Sequence, residues 1–158
     1  MKGLRWIGIG IGAVVLLLLL LGGEAMALKA TAGTVTTFSN KSVGESGVML
    51  WQVSYVTHAS AGTFTAVTDE DITGWILIVE TDPGATAPTT LYDIVLNNSN
   101  SRDVMGGALA NRSATVTEAV LPLQNGNYTA VFNEGPLTIQ VTAAGNSKTA
   151  ELLIYYLP

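Results

Sequence analysis

The chain has 158 residues, of which 48% are hydrophobic and only 12% are charged, and its formal net charge at pH 7 is −5. Because it contains no cysteine, disulfides, thiolate zinc sites, cysteine nucleophiles and a lipidated cysteine anchor are excluded. From residue 28 onward there are five basic and eleven acidic residues. Phosphate contacts need clustered Lys and Arg, so we expect no nucleic acid partner.

The N-terminus carries an uncharged apolar run over residues 6–23, which begins with Trp6 and includes the leucines from Leu16 to Leu21. A helix of this length rises about 27 Å, close to the roughly 30 Å hydrocarbon core of a bilayer. Lys2 and Arg5 precede the run, and basic residues favour the cytoplasmic side of a membrane. We therefore expect one apolar helix that contacts the lipid bilayer and places the rest of the chain on the extracytoplasmic side.

Two interpretations of this helix remain open. As a secretory signal, it would end at a small-x-small cleavage site formed by Ala25 and Ala27, and residues 1–27 would be removed. As a retained anchor, it would tether the chain, and Gly8 and Gly12 would form a Gly-x-x-x-Gly pair that lets two helices approach closely. Glycine weakens the first third of such a helix. The length of the run exceeds the usual 7–15 apolar residues of a signal peptide, which favours the anchor.

Residues 28–47 are rich in Thr, Ser and Gly and only weakly patterned. They form either a short edge strand near residues 34–38 or a flexible stalk that lifts a domain off a membrane. Clear alternation of apolar and polar residues begins at residue 48 and predicts strands over residues 48–55 and 63–68. A continuous apolar run over residues 74–80 is typical of a strand covered on both faces, so we expect it at the centre of the core.

The next strand is predicted over residues 91–96, and the segment after it is the least strand-like part of the domain. Gly106 and Gly107 suit a tight backbone crossing, because no Lys-Ser or Lys-Thr follows them as in a phosphate loop. Arg102, Asp103 and Arg112 flank the two glycines. These charged residues would either tie the loop to the domain or contact a neighbouring subunit, so we treat the five residues as a possible assembly loop.

The remaining strands are predicted over residues 115–121, 127–132, 137–142 and 149–157. Turn residues such as Gly, Pro and Asn separate them, and no amphipathic helix interrupts the series. About eight strands with regularly spaced turns predict an all-β fold, an antiparallel β-sandwich or jelly roll over residues 48–158.

Groups that could carry chemistry are few. His58 is the only histidine, and it could be combined on paper with Ser54 or Ser60 and with Asp69 or Asp71, but no Gly-x-Ser-x-Gly elbow is present. The carboxylates of residues 69–71 lack the spaced pattern of a calcium loop. We therefore expect a protein that is not an enzyme and that uses no cofactor and no metal.

Aromatic residues offer an alternative function. A platform for stacking sugars could be built from five of them, Trp51, Tyr55, Trp75, Tyr155 and Tyr156. Aromatic residues in alternating strands more often lie in the core. A secreted or tethered module that binds glycans or a host surface is therefore the second hypothesis, behind a structural role.

The turn and core motifs within residues 72–156 resemble a small β-domain that recurs among virion-type proteins of tailed bacteriophages and has no assigned role. The resemblance is carried by Gly74-Trp75, Asp82-Pro83-Gly84, Ala87-Pro88-Thr89, Tyr92-Asp93-Ile94-Val95-Leu96, Asp103-Val104-Met105-Gly106-Gly107, Asn111-Arg112-Ser113 and Ala144-Gly145-Asn146-Ser147-Lys148. It implies a structural role in a virus particle or on a surface, with further copies of the chain or other virion proteins as partners. The N-terminal apolar helix departs from that pattern and suggests a particle with an internal membrane or a membrane-tethered surface protein.

Overall fold

The computed structural model describes residues 29–68 and 72–158, and all regular structure in them is β-strand. The predicted apolar helix, the predicted cleavage site and the acidic cluster at residues 69–71 lie outside the described residues. Among the residues that are described, no helix has the length and apolar character needed to cross a membrane.

Twelve strands are present in these residues. They are β1 (Lys29–Ala32), β2 (Thr34–Ser42), β3 (Met49–Val56), β4 (Phe64–Val67), β5 (Gly74–Pro83), β6 (Asp93–Asn97), β7 (Glu118–Val120), β8 (Leu123–Gln124), β9 (Asn127–Tyr128), β10 (Val131–Asn133), β11 (Thr138–Thr142) and β12 (Thr149–Leu157). We refer to residues 29–158 as the β-domain. The prediction of an all-β antiparallel fold is confirmed for the described residues, although β1 and β8 were not predicted and the strand expected over residues 127–132 is divided into β9 and β10.

The strands form two main sheets in which every pairing is antiparallel. The four-stranded sheet has the order β1-β4-β11-β6. The six-stranded sheet has the order β10-β5-β12-β3-β2, and β7 joins β5 beside β10. Residues 29–42, for which the sequence left an edge strand and a stalk open, are paired in β1 and β2, each at the edge of its sheet. Strands β8 and β9 form a separate hairpin.

One apolar core contains side chains from both main sheets. Tyr55 of β3 stacks on Phe64 of β4 with ring centroids 4.5 Å apart, so this pair joins the two sheets directly. Trp51 is fully buried and meets the edge of Phe38 from β2 at 5.1 Å. Burial, and then the neighbouring Tyr92, raise the pKa of Tyr55 well above its ordinary value, so its hydroxyl stays neutral inside the core.

Strand β5 differs from its prediction, which placed residues 74–80 between two covered faces. The strand is paired on both sides, but only one of its faces is buried, and Trp75 on the other face is 49% exposed. The register against β12 skips Leu77, because Tyr156 pairs with Ile76 and Tyr155 pairs with Ile78. This bulge turns Ile76 and Val79, three residues apart, toward the same core. The apolar residues of β5 are therefore consecutive in sequence although only one face of the strand is buried.

Strand β5 also continues through Asp82 and Pro83, where a turn was predicted. Pro83 pairs with Ala150 of β12, whereas the pairing with β7 on the other side ends at Thr81. A proline has no N–H to donate, and it is tolerated in a strand where one side has no partner.

Candidate functional site

The predicted assembly loop lies along the outer edge of β6 and is held there mainly by Asp103. Its carboxylate accepts hydrogen bonds from the backbone N–H groups of Leu96 (3.4 Å), Met105 (3.0 Å) and Gly107 (2.7 Å). The N–H of Val104 also donates to the carbonyl oxygen of Leu96 at 2.8 Å. Val104 and Met105 are fully buried, so this loop closes one side of the core. The carboxylate of Asp103 therefore makes these hydrogen bonds within its own chain.

Arg112, at the other end of the loop, is also occupied within the chain. Its Nε and Nη2 donate to the carbonyl oxygen of Ala110 at 3.2 and 2.8 Å, and its Nη1 lies 3.7 Å from Oε2 of Glu118. The same carboxylate oxygen accepts the backbone N–H of Ser113 at 2.6 Å. The side chain of Arg112 is only 13% exposed, so it has little surface to offer a partner.

The two glycines of the loop have different surroundings. Gly106 has φ +60°, and a Cβ atom there would collide with the backbone carbonyl oxygen of Leu123. Gly107 has φ +82° but faces open space. Of the five residues singled out for assembly, Arg102, Gly106 and Gly107 are exposed, and only Arg102 presents a charge to the surface.

A concavity of about 760 Å³ opens beside Arg102, at the end of the β-domain where β11 begins. Its lining combines one aromatic ring, two charges of opposite sign and several hydrogen-bonding groups, contributed mainly by Thr73, Asn98, Asn100, Arg102, Phe132 and Glu134. Such a lining suits a polar ligand that also carries an apolar face. Phe132 and Glu134 were not predicted as site residues from the sequence. The signal that could have found them is the turn sequence Asn-Glu-Gly-Pro at residues 133–136.

The walls of the concavity are two tight turns. On one side, Oδ1 of Asn98 accepts the backbone N–H groups of Asn100 and Arg102, both at 3.0 Å. On the other side, Asn133 is 1% exposed, and its Nδ2 donates to the carbonyl oxygens of Ile72 (2.6 Å) and Gly135 (3.0 Å). Buried Asn133 thereby holds the backbone that carries Phe132 and Glu134.

A row of exposed apolar side chains crosses the outer face of the six-stranded sheet next to this concavity. Phe132 of β10 pairs with Trp75 of β5, and Trp75 pairs with Leu157 of β12. Their exposed fractions are 47%, 49% and 40%, and the rings of Trp75 and Phe132 meet edge to face at 5.5 Å. We call these three residues the exposed apolar row. Trp75 is therefore at the surface, unlike Trp51, Tyr55 and Tyr156, which are buried.

Tyr155 lies on the same outer face as the exposed apolar row, because it is two residues before Leu157 in β12. Its hydroxyl donates to Oε2 of Glu80 at 3.3 Å. Partial burial, and then the charge of Glu80 together with this hydrogen bond, raise the pKa of Tyr155. The five aromatic residues considered as a sugar platform therefore do not form one surface.

His58 belongs to a surface turn. Its Nδ1 accepts the backbone N–H groups of Ser60 (3.3 Å) and Ala61 (3.2 Å). Ser54, the other serine considered with it, instead donates to Oε1 of Glu151 at 2.6 Å. Within residues 29–68 and 72–158, no cluster of three His, Asp or Glu side chains could hold a metal ion.

Comparison of the chain with protein-family models, with curated proteins and with solved structures finds no match. The resemblance to small β-domains of bacteriophage virions therefore stays a prediction from the sequence motifs.

Proposed function

We propose that this protein is a non-enzymatic structural protein, membrane-anchored or exported, that assembles with copies of itself or with other proteins into a virus particle or a surface structure. We further infer that its two sheets form a β-sandwich of the jelly-roll type, because their inner faces share one core. Low charge, many Thr and Val residues and the apolar N-terminal run support this function.

The observation that carries the proposal is the open edge of strand β2. This strand has nine residues and lies at the end of the six-stranded sheet, and in the described part of the chain no strand pairs with its outer side. By contrast, the edge strand β6 is covered by the loop that Asp103 holds, and β10 is only three residues long. A long open edge exposes backbone N–H and C=O groups to which a strand from another molecule can pair. This geometry supports the proposal that copies assemble by strand pairing along β2.

A cysteine scan along β2 tests the assembly directly, because the chain has no cysteine of its own. We expect the variants Thr37→Cys, Ser39→Cys and Lys41→Cys of the full chain, in detergent micelles where two copies can take opposite orientations, to form disulfide-linked dimers with one clear maximum. When two copies of β2 pair antiparallel, one position lies directly opposite the same position of the other copy. The Cα–Cα distance between those two residues is one that a disulfide can span. Mild oxidation followed by non-reducing electrophoresis measures the dimer fraction.

The matched control is Asn146→Cys. Asn146 is exposed in the turn that precedes β12, and it is not part of the β2 edge. This variant should stay monomeric under the same oxidation. Equally low cross-linking at all four positions, together with monomers by light scattering at high protein concentration, would refute assembly through β2.

A second candidate function, saccharide binding, is favoured by the concavity beside Arg102. An exposed aromatic ring can stack on a sugar face, and Arg102, Glu134 and the Asn98 turn can bond its hydroxyl groups. We expect a bound saccharide to change the emission of Trp75, which touches Phe132. Arg102→Ala should weaken binding about 10-fold to 100-fold, since a hydrogen bond from a charged donor contributes about 1.5–3 kcal/mol.

Lys148→Ala is the control for this candidate, because it removes one positive charge from the opposite end of the domain, where Lys148 bonds to Thr57. Its saccharide affinity should equal that of the unmodified chain. If no member of a broad saccharide panel changes the emission of Trp75, the concavity is not a sugar site.

A further inference from the structure

The exposed apolar row lies at the end of the β-domain where the chain enters from its N-terminus. In the four-stranded sheet, Lys29 pairs with Val67, and Val67 pairs with Thr138 at the start of β11. The backbone N–H of Ile72 donates to the carbonyl oxygen of Gly135 at 3.2 Å, just before β11. Trp75 lies three residues after Ile72, and Phe132 lies three residues before Gly135. The start of β1 and the exposed apolar row therefore share one end of the two sheets.

The short connection between the apolar run and β1 limits how far the start of β1 can lie from the end of that run. Gly23, where the apolar run ends, and Lys29 are six positions apart with five residues between them, and an extended chain over six positions spans at most about 20 Å. The opposite end of the domain lies about 27 Å away, the length of β12 from Leu157 back to Thr149. If residues 6–23 lie in a bilayer, the end with the exposed apolar row is the one held close to that bilayer.

We propose that Trp75, Phe132 and Leu157 lie in the interfacial layer of the bilayer that the N-terminal run enters, so that the β-domain touches the membrane with its own side chains. This inference rests on the membrane anchoring in the proposed function. Trp and Phe favour the boundary between lipid chains and headgroups. A single row of three partly exposed apolar residues is suited to that shallow position.

Charge selects the kind of lipid. Glu134 and Arg102, which carry opposite charges, both line the concavity beside Phe132. These two charges balance and give the exposed apolar row no net attraction to anionic headgroups. The partner is therefore a bilayer of zwitterionic lipid, and adding anionic lipid does not strengthen the contact of the β-domain.

Tryptophan emission tests this contact in the full chain. The variant Trp6→Phe retains Trp51, which is fully buried in the core, and Trp75. The variant Trp6→Phe/Trp75→Phe gives the emission of Trp51 alone, and the difference between the two variants is the signal of Trp75. In vesicles of brominated phosphatidylcholine, we expect the Trp75 signal to fall to about half or less of its value in ordinary phosphatidylcholine, because bromine quenches indoles at the interface.

The positional control places a tryptophan at the other end of the domain. Ala59 is exposed in the turn after β3, beside the end where Val56 pairs with Thr149. In the Trp6→Phe/Trp75→Phe background, the Ala59→Trp signal should be unchanged by brominated lipid and open to acrylamide in the water.

The outcomes separate this inference from the proposed function. If the chain floats with the vesicles and Trp6 is quenched by brominated lipid but Trp75 is not, the anchor stands and the contact of the β-domain is refuted. If Trp75 is shielded from acrylamide without quenching by lipid, another protein molecule covers the row, and the contact with lipid is again refuted. If the chain does not float with vesicles, both the anchor and the contact are refuted.

Discussion

Replacing Gly106 with alanine is expected to lower the free energy of unfolding by about 3 kcal/mol, among the largest losses for a single methyl group in this chain. The residue has φ +60°, a left-handed conformation that costs an L-amino acid about 1 kcal/mol. The new Cβ would also meet the carbonyl oxygen of Leu123. Leu123 has little freedom to move away, since its N–H donates to Met105 at 3.0 Å.

The neighbouring residue supplies the control. Gly107 also has a positive φ, +82°, but nothing lies within 4 Å of the position of its Cβ. Gly107→Ala should therefore lower the free energy of unfolding by only about 1 kcal/mol, which is the cost of the left-handed conformation for alanine. Urea and thermal unfolding in the Trp6→Phe/Trp75→Phe background, followed by the emission of buried Trp51, measure both variants. If both alanine variants lost the same free energy of unfolding, the contact of the new Cβ with Leu123 would not contribute to the loss.

Asn133→Asp is expected to destabilise the domain by about 4 kcal/mol at neutral pH. The side chain is 1% exposed, and its Nδ2 donates to two carbonyl oxygens, those of Ile72 and Gly135. An aspartate would lose both donors and place a buried negative charge against two acceptors. Because this turn carries Phe132 and Glu134, the variant should also loosen the concavity and the exposed apolar row.

The pH dependence of this loss has a definite sign. Burial raises the pKa of a carboxyl above its unfolded value of about 3.9, so the folded variant binds the proton more tightly than the unfolded chain. The loss is therefore smallest below about pH 4, where the protonated group can donate one hydrogen bond, and it grows as the pH rises. Unfolding measured at pH 4 and pH 7 gives the comparison.

Asn127→Asp is the matched control, because Asn127 is exposed in β9 and, among the described residues, its side chain makes one hydrogen bond, from Nδ2 to the carbonyl oxygen of Asn125 at 3.3 Å. It should change stability by less than about 0.5 kcal/mol at either pH. A loss for Asn133→Asp that does not exceed this control would contradict the role assigned to the buried amide.

The candidate site was only partly predictable from sequence. Asp103 and Arg112 were recognisable as the charges flanking a glycine loop, but the sequence could not decide whether they bind the chain itself or a neighbour. That choice depends on where Leu96 and Glu118 come to lie, and both are brought there by the fold. Phe132 and Arg102 are thirty positions apart in sequence and line one concavity only because β10 and the loop after β6 end at the same side.

By itself, the sequence determined the class of structure in the described residues, because period-two alternation and β-branched residues specify strands locally and Gly, Pro and Asn specify the turns between them. Only the tertiary structure decided which faces are covered. A one-residue bulge at Leu77 sends Ile76 and Val79 to one core and leaves Trp75 outside, in line with Phe132 and Leu157 from strands distant in sequence. Strand neighbours and register are non-local, and a shift of one residue reverses the face that a side chain occupies.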